Sequence, residues 1–239
     1  MQNISTIMLF LCISIIFVAV RLLKRKTRMR KSSFILTILL FITAMHAQDL
    51  KKIQLNVPDK NRGSSVMKAL SDRRSDREYD NKELSLQDLS DLLWAANGIN
   101  RPDGKRTAPS ALNKQDIDIY VVMKEGAYLY DAKSNSLLPI AKGDYRGSVA
   151  GSQEFVKAAP VSLVLVSDLS RFGKISDHTK LMAAVDAGSV SQNINIFCAA
   201  VGLATVPRAS MDMKALKEIL KLTENQLPLM NNPVGYFKK

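Results

Sequence analysis

Two short stretches hold the side chains best suited to chemistry. Arg73-Arg74-Ser75-Asp76-Arg77 packs three guanidinium groups and a hydroxyl into five residues, where a short helical pattern ends. A guanidinium binds phosphate in a planar, bidentate way and stays charged at any relevant pH. Arg73 and Arg77 are four apart, so on a helical turn they share a face. Thr107-Ala108-Pro109-Ser110-Ala111-Leu112-Asn113 is a loop of small and turn-forming residues that opens into a strand. Small side chains at Pro109, Ser110 and Ala111 let main chain lie close to a ligand, and Asn113 offers a donor and an acceptor. Together the stretches suggest a site that grips a phosphate and lays backbone against a flat ring, as a bound flavin nucleotide requires. Each alone has a plainer reading. The arginines can be a solvated charge run with Asp72, Asp76 and Glu78, and the loop can be an ordinary entry to a strand.

Further candidates follow. Asp186-x-Gly188-x-x-x-Gln192-Asn193 lies on a long helical pattern, and the four-residue spacing puts Gly188 and Gln192 on one face. Buried Gln and Asn need partners, either protein groups or a flavin. Val206-Pro207-Arg208 follows a short strand, a common place for ligand contact. Lys238 and Lys239 are a frayed tail or a reach to phosphate. After residue 47 only one His (His178) and one Cys (Cys198) remain. Both read as structural, His178 near a helix start and Cys198 in the core. That scarcity disfavours Ser-His-Asp or Cys-His catalysis and a zinc site, and excludes an internal disulfide. An enzyme built this way needs a cofactor for its chemistry.

The net charge of +12 is uneven. Residues 1–47 carry seven Lys or Arg and no Asp or Glu, leaving 27 of the 34 basic residues against all 22 acidic ones. No basic run interleaved with aromatics follows, so nucleic acid is not an expected partner. Residues 29–47 read as a signal peptide: Met29-Arg30-Lys31, an apolar stretch from Phe34 to Ala44, and Ala47 before a cut at Gln48. Residues 1–28 then read as an upstream mis-start. The competing reading makes Ile4–Val20 a membrane span at the lower length limit, about 17 residues. Either way the folded part is expected to be exported to a periplasm, touching membrane only through the N-terminal segment if that is retained.

The remainder, 48–239, is enough for one domain. Its elements are what must position the candidates. Val66, Met67 and Leu70 mark a short helix over Ser64–Leu70. Ser85-x-x-Asp88 is a capping box for a helix bearing Leu86, Leu89, Leu92 and Leu93, ended by Gly98, with Trp94 in the core. Ile117–Met123 alternates as a strand, and Tyr128–Tyr130 and Leu137–Ile140 form a hairpin around Lys133–Ser136. Val161–Val166 is a strand covered on both faces. Asp177, as N-cap, opens a helix that runs to Gly202, roughly 36 Å long. Its small residues Ala183, Ala184, Ala187 and Gly188 let another backbone approach, as in a central helix or one shared with a second subunit. Ala204–Pro207 is a strand, Asp212 caps a last helix, and Leu227–Phe237 is extended. The sum is an α+β fold.

At this point a family comes into view. Arg-Arg-Ser-x-Arg (73–77), Leu-Leu-Trp-Ala-Ala-x-Gly-Ile (92–99), Thr-Ala-Pro-Ser-Ala (107–111), Tyr-Val-Val (120–122), Asp-Ala-Gly with Gln-Asn (186–193), Val-Pro (206–207) and Pro-Val-Gly-Tyr (233–236) together resemble the FMN-dependent nitroreductases. The nearest branch looks like the one that holds the peptide azoline dehydrogenases. The chain departs from that branch after Ala111, where Asn113-x-Gln115 stands. It departs from nitroreductases at Asp116, where a Pro is usual, and at Ser189, where a His is frequent.

The resemblance implies an α+β, nitroreductase-like fold with a central, mostly antiparallel sheet flanked by helices, in an intertwined homodimer with FMN at the subunit interface. Arg73, Arg74, Ser75 and Arg77 would contact phosphate, ribityl chain and ring edge. Pro109, Ser110, Ala111 and Asn113 would come from the partner subunit. Val206, Pro207 and Arg208 would lie along the ring, and Lys238 would reach the phosphate. The implied reaction takes two electrons from NAD(P)H or another donor to a nitroaromatic, quinone or similar small acceptor. Two alternatives stay open: a flavin dehydrogenase acting on a peptide or small molecule, and a non-catalytic exported flavin- or ligand-binding protein.

Overall fold

The seven strands pair antiparallel throughout, in the order β1-β4-β3-β2-β5-β7-β6. They are β1 (Ile53–Gln54), β2 (Ile117–Met123), β3 (Gly126–Asp131), β4 (Ser136–Lys142), β5 (Val161–Asp168), β6 (Leu203–Thr205) and β7 (Gln226–Tyr236). The helices are α1 (Val66–Asp72), α2 (Leu86–Asn97), α3 (Arg146–Ala150), α4 (Asp177–Val201) and α5 (Met213–Ile219). This computed structural model describes residues 50–238, which fall within one compact unit. The expected signal peptide (29–47), the upstream segment (1–28) and Lys239 lie outside the described residues.

Alternation along β2 and β5 explains the layering. Ile117, Ile119, Val121, Leu163 and Leu165 point to one face, where α2 and α4 cover them with Leu92, Leu93, Val190 and Ile194. Tyr120, Val122, Val164 and Val166 point to the other, beneath Val149, Ala150, Leu216 and Leu220 from around α3 and α5. β5 is therefore covered on both faces, as its apolar run requires. β2 is too, with Tyr120 and Val122 buried on the second face and only Asp118 partly exposed. Pro139 and Pro228 sit next to register shifts in their strands, where a missing N–H does least harm.

The capping signals are specific. The Ser85 hydroxyl accepts the Asp88 N–H, but Asp88 does not return the bond to the Ser85 backbone. Its carboxylate instead accepts from Ser85 Oγ, the Tyr236 hydroxyl and Arg62. Burial works against its charged form, yet these bonds prevail and hold the carboxyl below its ordinary range. At α4 the N-cap is Ser176, not Asp177. Ser176 forms a reciprocal box with Thr179, and Asp177 becomes an acidic first-turn residue favoured by the helix dipole. Gly202 closes α4 in the left-handed region (φ 76°), where a side chain would be strained.

Trp94 is half-buried rather than in the core. Its indole N–H donates to the Ile99 carbonyl at 3.1 Å, and the Lys60 ammonium sits 5.2 Å from the ring centre. The N–H needs an acceptor, and the flank of α2 supplies one that the core lacks. The apolar side of α1 faces outward: Val66, Met67 and Leu70 are all exposed, Met67 at 76%.

Candidate functional site

α1 ends at Asp72, and Arg73 caps it with non-helical backbone, its N–H donating to Ala69 O. Arg73 and Arg77 therefore do not share a helical turn. They are carried on an irregular segment laid along the β6–β7 edge of the sheet. The Asp76 N–H donates to Thr205 O at 2.9 Å, Tyr79 bridges Phe237, and the Asp80 N–H reaches Tyr236 O at 3.0 Å. These contacts bring Arg73, Arg74, Ser75, Arg77, Val206, Pro207 and Lys238 to one edge. Arg73 and Arg77 make no side-chain hydrogen bond or ion pair among the described residues. Arg74 pairs with Asp76 at 3.0 Å and lies 5.4 Å from the Phe237 ring centre. Ser75 and Lys238 are exposed, Pro207 is half-exposed and Val206 is buried.

Arg208 departs from the expectation that its side chain lies along a ring. The residue is only 7% exposed, and its guanidinium points into the protein. It donates to Gln153 Oε1, Val149 O, Asn231 Oδ1 and Ala150 O at 2.6–3.2 Å. The carbonyls at the end of α3 have no helical partner, and Arg208 supplies one.

Pro109–Asn113 forms the second part. Ser110 Oγ accepts the Gln115 N–H at 2.9 Å. The Ala111 N–H reaches both carboxylate oxygens of Asp186 on α4, at 2.8 and 3.0 Å. Leu112, Asn113 and Gln115 all have φ near +50°, unusual for residues with side chains. Leu112 is 86% exposed. Gln115 stiffens the loop: its side chain accepts from Arg106 Nε, and its carbonyl accepts from Arg171. The sequence did not single out Arg106 or Arg171, and it marked Asp116 only as a departure from the family pattern. The available signal was polarity, because Asp116 is a carboxylate at the mouth of an apolar strand.

Within one chain these parts do not meet. The loop is tied to Asp186, whereas the arginine segment lies beside β6, just past the end of α4. The fifteen residue steps from Asp186 to Val201 make about 22 Å of helix. Gln192 is exposed on this helix, its Oε1 accepting only a long bond from Asn195 at 3.4 Å. Asn193 turns inward to the Ala96 carbonyl.

The antiparallel sheet flanked by helices, with its long helix α4, defines an α+β class of fold. The Nitroreductase family profile matches residues 70–236, and the chain belongs to that family. A Methanocaldococcus jannaschii protein described as a nitroreductase is 32% identical over 173 residues, spanning 68% of this chain and 86% of its own length. An FMN reductase [NAD(P)H] of Bacillus subtilis is 24% identical, over 72% of this chain and 66% of its own length. A Ralstonia eutropha crystal structure, also described as a nitroreductase, superposes with a TM-score of 0.76 at 35% identity, covering 81% of this chain and 92% of that one.

Proposed function

We propose that the protein is an FMN-dependent oxidoreductase that acts as a homodimer, its flavin held between the subunits. Two electrons pass from NAD(P)H or another donor to a nitroaromatic, quinone or similar small acceptor. The observation that carries this reading is the separation of the two candidate parts within one chain. Beside the loop, on the side of Asp186 away from the arginine edge, α4 presents an apolar surface. On α4, Leu181 and Val185 are more than half exposed, and nothing lies within 4 Å of a Cβ added at Gly188. Patches of this kind mark association surfaces. A second copy docked there can bring its Pro109–Asn113 loop to the first copy's arginine edge.

The residues present fit FMN. Arg73 and Arg77 keep uncommitted guanidinium donors for a phosphate, with Lys238 and Ser75 nearby. Pro207, half-exposed next to the buried Val206, offers an apolar contact for a ring, and Gln192 and Asn113 offer amides. When bound, FMN supplies the two-electron chemistry. The chain's own residues hold it, orient it and keep water from it, which suits a protein with so little His and Cys. The expected export, with any membrane contact made only through a retained N-terminal segment, bears on the donor, because nicotinamide nucleotides are scarce in a periplasm.

Absorption spectra of the purified protein with FMN test the reading. The expected protein is yellow and dimeric, bleached by NADH or NADPH and recoloured by nitrofurazone or a quinone. Colourless protein that refuses FMN overturns it. Yellow protein that no nicotinamide donor bleaches keeps the flavin site and removes the reductase. A mature N-terminus at Gln48, read by mass spectrometry, checks the export expectation.

A further inference from the structure

Beneath the strained loop lies an unusual pair of carboxyls. Asp116 is fully buried at the start of β2, and Asp186 is nearly so on α4. Asp116 Oδ2 accepts the Ser167 hydroxyl at 2.5 Å, while Oδ1 has no partner. Asp186 stands within hydrogen-bonding reach of it. Both oxygens of Asp186 already accept the Ala111 N–H. Ionised carboxylates only accept, so two of them face to face leave Asp116 Oδ1 orphaned in a dry site. One proton on Oδ1 turns Asp116 into a donor and satisfies both groups.

We infer that Asp116 and Asp186 share a single proton, and that this proton latches the Ser110–Gln115 loop onto α4.

The neighbourhood offers no other remedy. From residue 181 to its end, α4 carries no charge except Asp186. On the side of β5 and the turn after it stand Ser167, Asp168 and Arg171. Arg171 is directed to Asp118, to Gln115 O and, at 3.4 Å, to Asp168. Asp118, further along β2, is thereby paired. Arg106 binds Gln115 Oε1 and Asn97 O. Lys114, in the loop itself, forms no ion pair among the described residues. With the proton in place, Asp186 keeps its grip on Ala111. Once the proton leaves, two like charges face each other out of water. Asp186 is the member that can rotate toward solvent, and it releases Ala111 as it does so. Leu112, Asn113 and Gln115 then relax from their left-handed backbone.

The latch goes beyond the proposed reaction, and its test needs no flavin turnover. Burial, with Asp186 next to it, pushes the Asp116 carboxyl up to about 6, and the Ser167 bond offsets part of that. An open latch takes Asp186 away but leaves Asp116 buried, so the carboxyl moves down toward its ordinary value of about 3.9 without regaining it, and opening is favoured at pH 8 over pH 5 by at most about tenfold. The experiment is amide hydrogen exchange at Ala111 in the purified full-length protein and in Asp116→Asn. Rates are normalised for the intrinsic pH dependence of exchange. The side-chain amide introduced by Asp116→Asn donates to Asp186 at every pH. Protection in the wild type is expected to fall from pH 5 to pH 8, by no more than about tenfold, and to stay flat in the variant. Equal slopes in the two proteins, or a flat wild type, overturn the latch. Carboxyl-carbon NMR of Asp-labelled wild type gives an independent reading should the variant misfold. An Asp116 titration near 4 also overturns it, and one near 6 supports it.

Discussion

The backbone N–H of Asp76 donates to the carbonyl of Thr205 across 2.9 Å. This bond places the arginine segment beside Val206 and Pro207, residues that follow it in sequence by more than a hundred positions. It also separates the three arginines by role, since Arg74 is shared with Asp76 whereas Arg73 and Arg77 are uncommitted. Arg73→Ala and Arg77→Ala are each expected to weaken FMN binding by about 1.5–3 kcal/mol, the scale of a lost charged hydrogen bond. Arg74→Ala is expected to cost less. Flavin fluorescence quenching measures all three. Unchanged affinity in both Arg73→Ala and Arg77→Ala removes the phosphate role.

Arg208 predicts the opposite pattern. Its loss leaves the Val149 and Ala150 carbonyls and Asn231 Oδ1 without their donor in a buried site. Arg208→Ala is expected to lower unfolding free energy by about 3 kcal/mol, read from urea denaturation. Arg208→Lys recovers only part of it, because one ammonium cannot reproduce a planar fork. A variant as stable as wild type would show that these bonds carry no net stability.

These two cases mark what the sequence made legible. Ile117–Met123, the Ser85 cap and the Gly202 stop were readable because each is a local pattern of period, hydroxyl or left-handed glycine. Arg208 was not. After Val206-Pro207 it reads as a ligand contact, and only the fold brings it to partners 23 to 59 residues away. Asp186 to Ala111 is likewise a pairing across 75 residues. The stripe of Val66, Met67 and Leu70 was visible as amphipathic, but periodicity marks an apolar face without saying whether the chain or a second copy covers it.

That last question has its own test. Val185 is 56% exposed in the single chain, so Val185→Glu leaves the isolated fold intact. In a dimer packed on α4 it buries an unpaired charge. The variant is expected to sediment as a folded monomer without FMN. Gly188→Ala discriminates further. On an open helix face it raises stability by about 0.5–1 kcal/mol, since the added methyl meets nothing within 4 Å. Under a closely approaching partner helix it weakens the dimer instead. A monomeric wild type, or a dimeric Val185→Glu, rejects the interface.

The buried carboxyl pair also leaves a signature in stability. Asp116 has a folded pKa raised to about 6, chiefly by burial, against about 3.9 when unfolded. For an acid shifted upward, the folded state holds its proton longer than the unfolded one. Its stabilising contribution is therefore complete below about pH 4 and is lost as pH climbs to about 6, after which both states are ionised. The loss across that window approaches about 3 kcal/mol at 1.36 kcal/mol per unit. Other carboxylates, Asp88 among them, are shifted downward and run the other way, so the whole protein need not grow less stable with pH. The difference between wild type and Asp116→Asn isolates the contribution of this one carboxyl. Relative to wild type, the variant is expected to gain stability steadily from pH 4.5 to pH 6.5 and then to hold a constant advantage. Paired thermal melts across that range measure it. A difference that does not change with pH would mean that Asp116 is ionised throughout, with its charge satisfied by a group other than a shared proton.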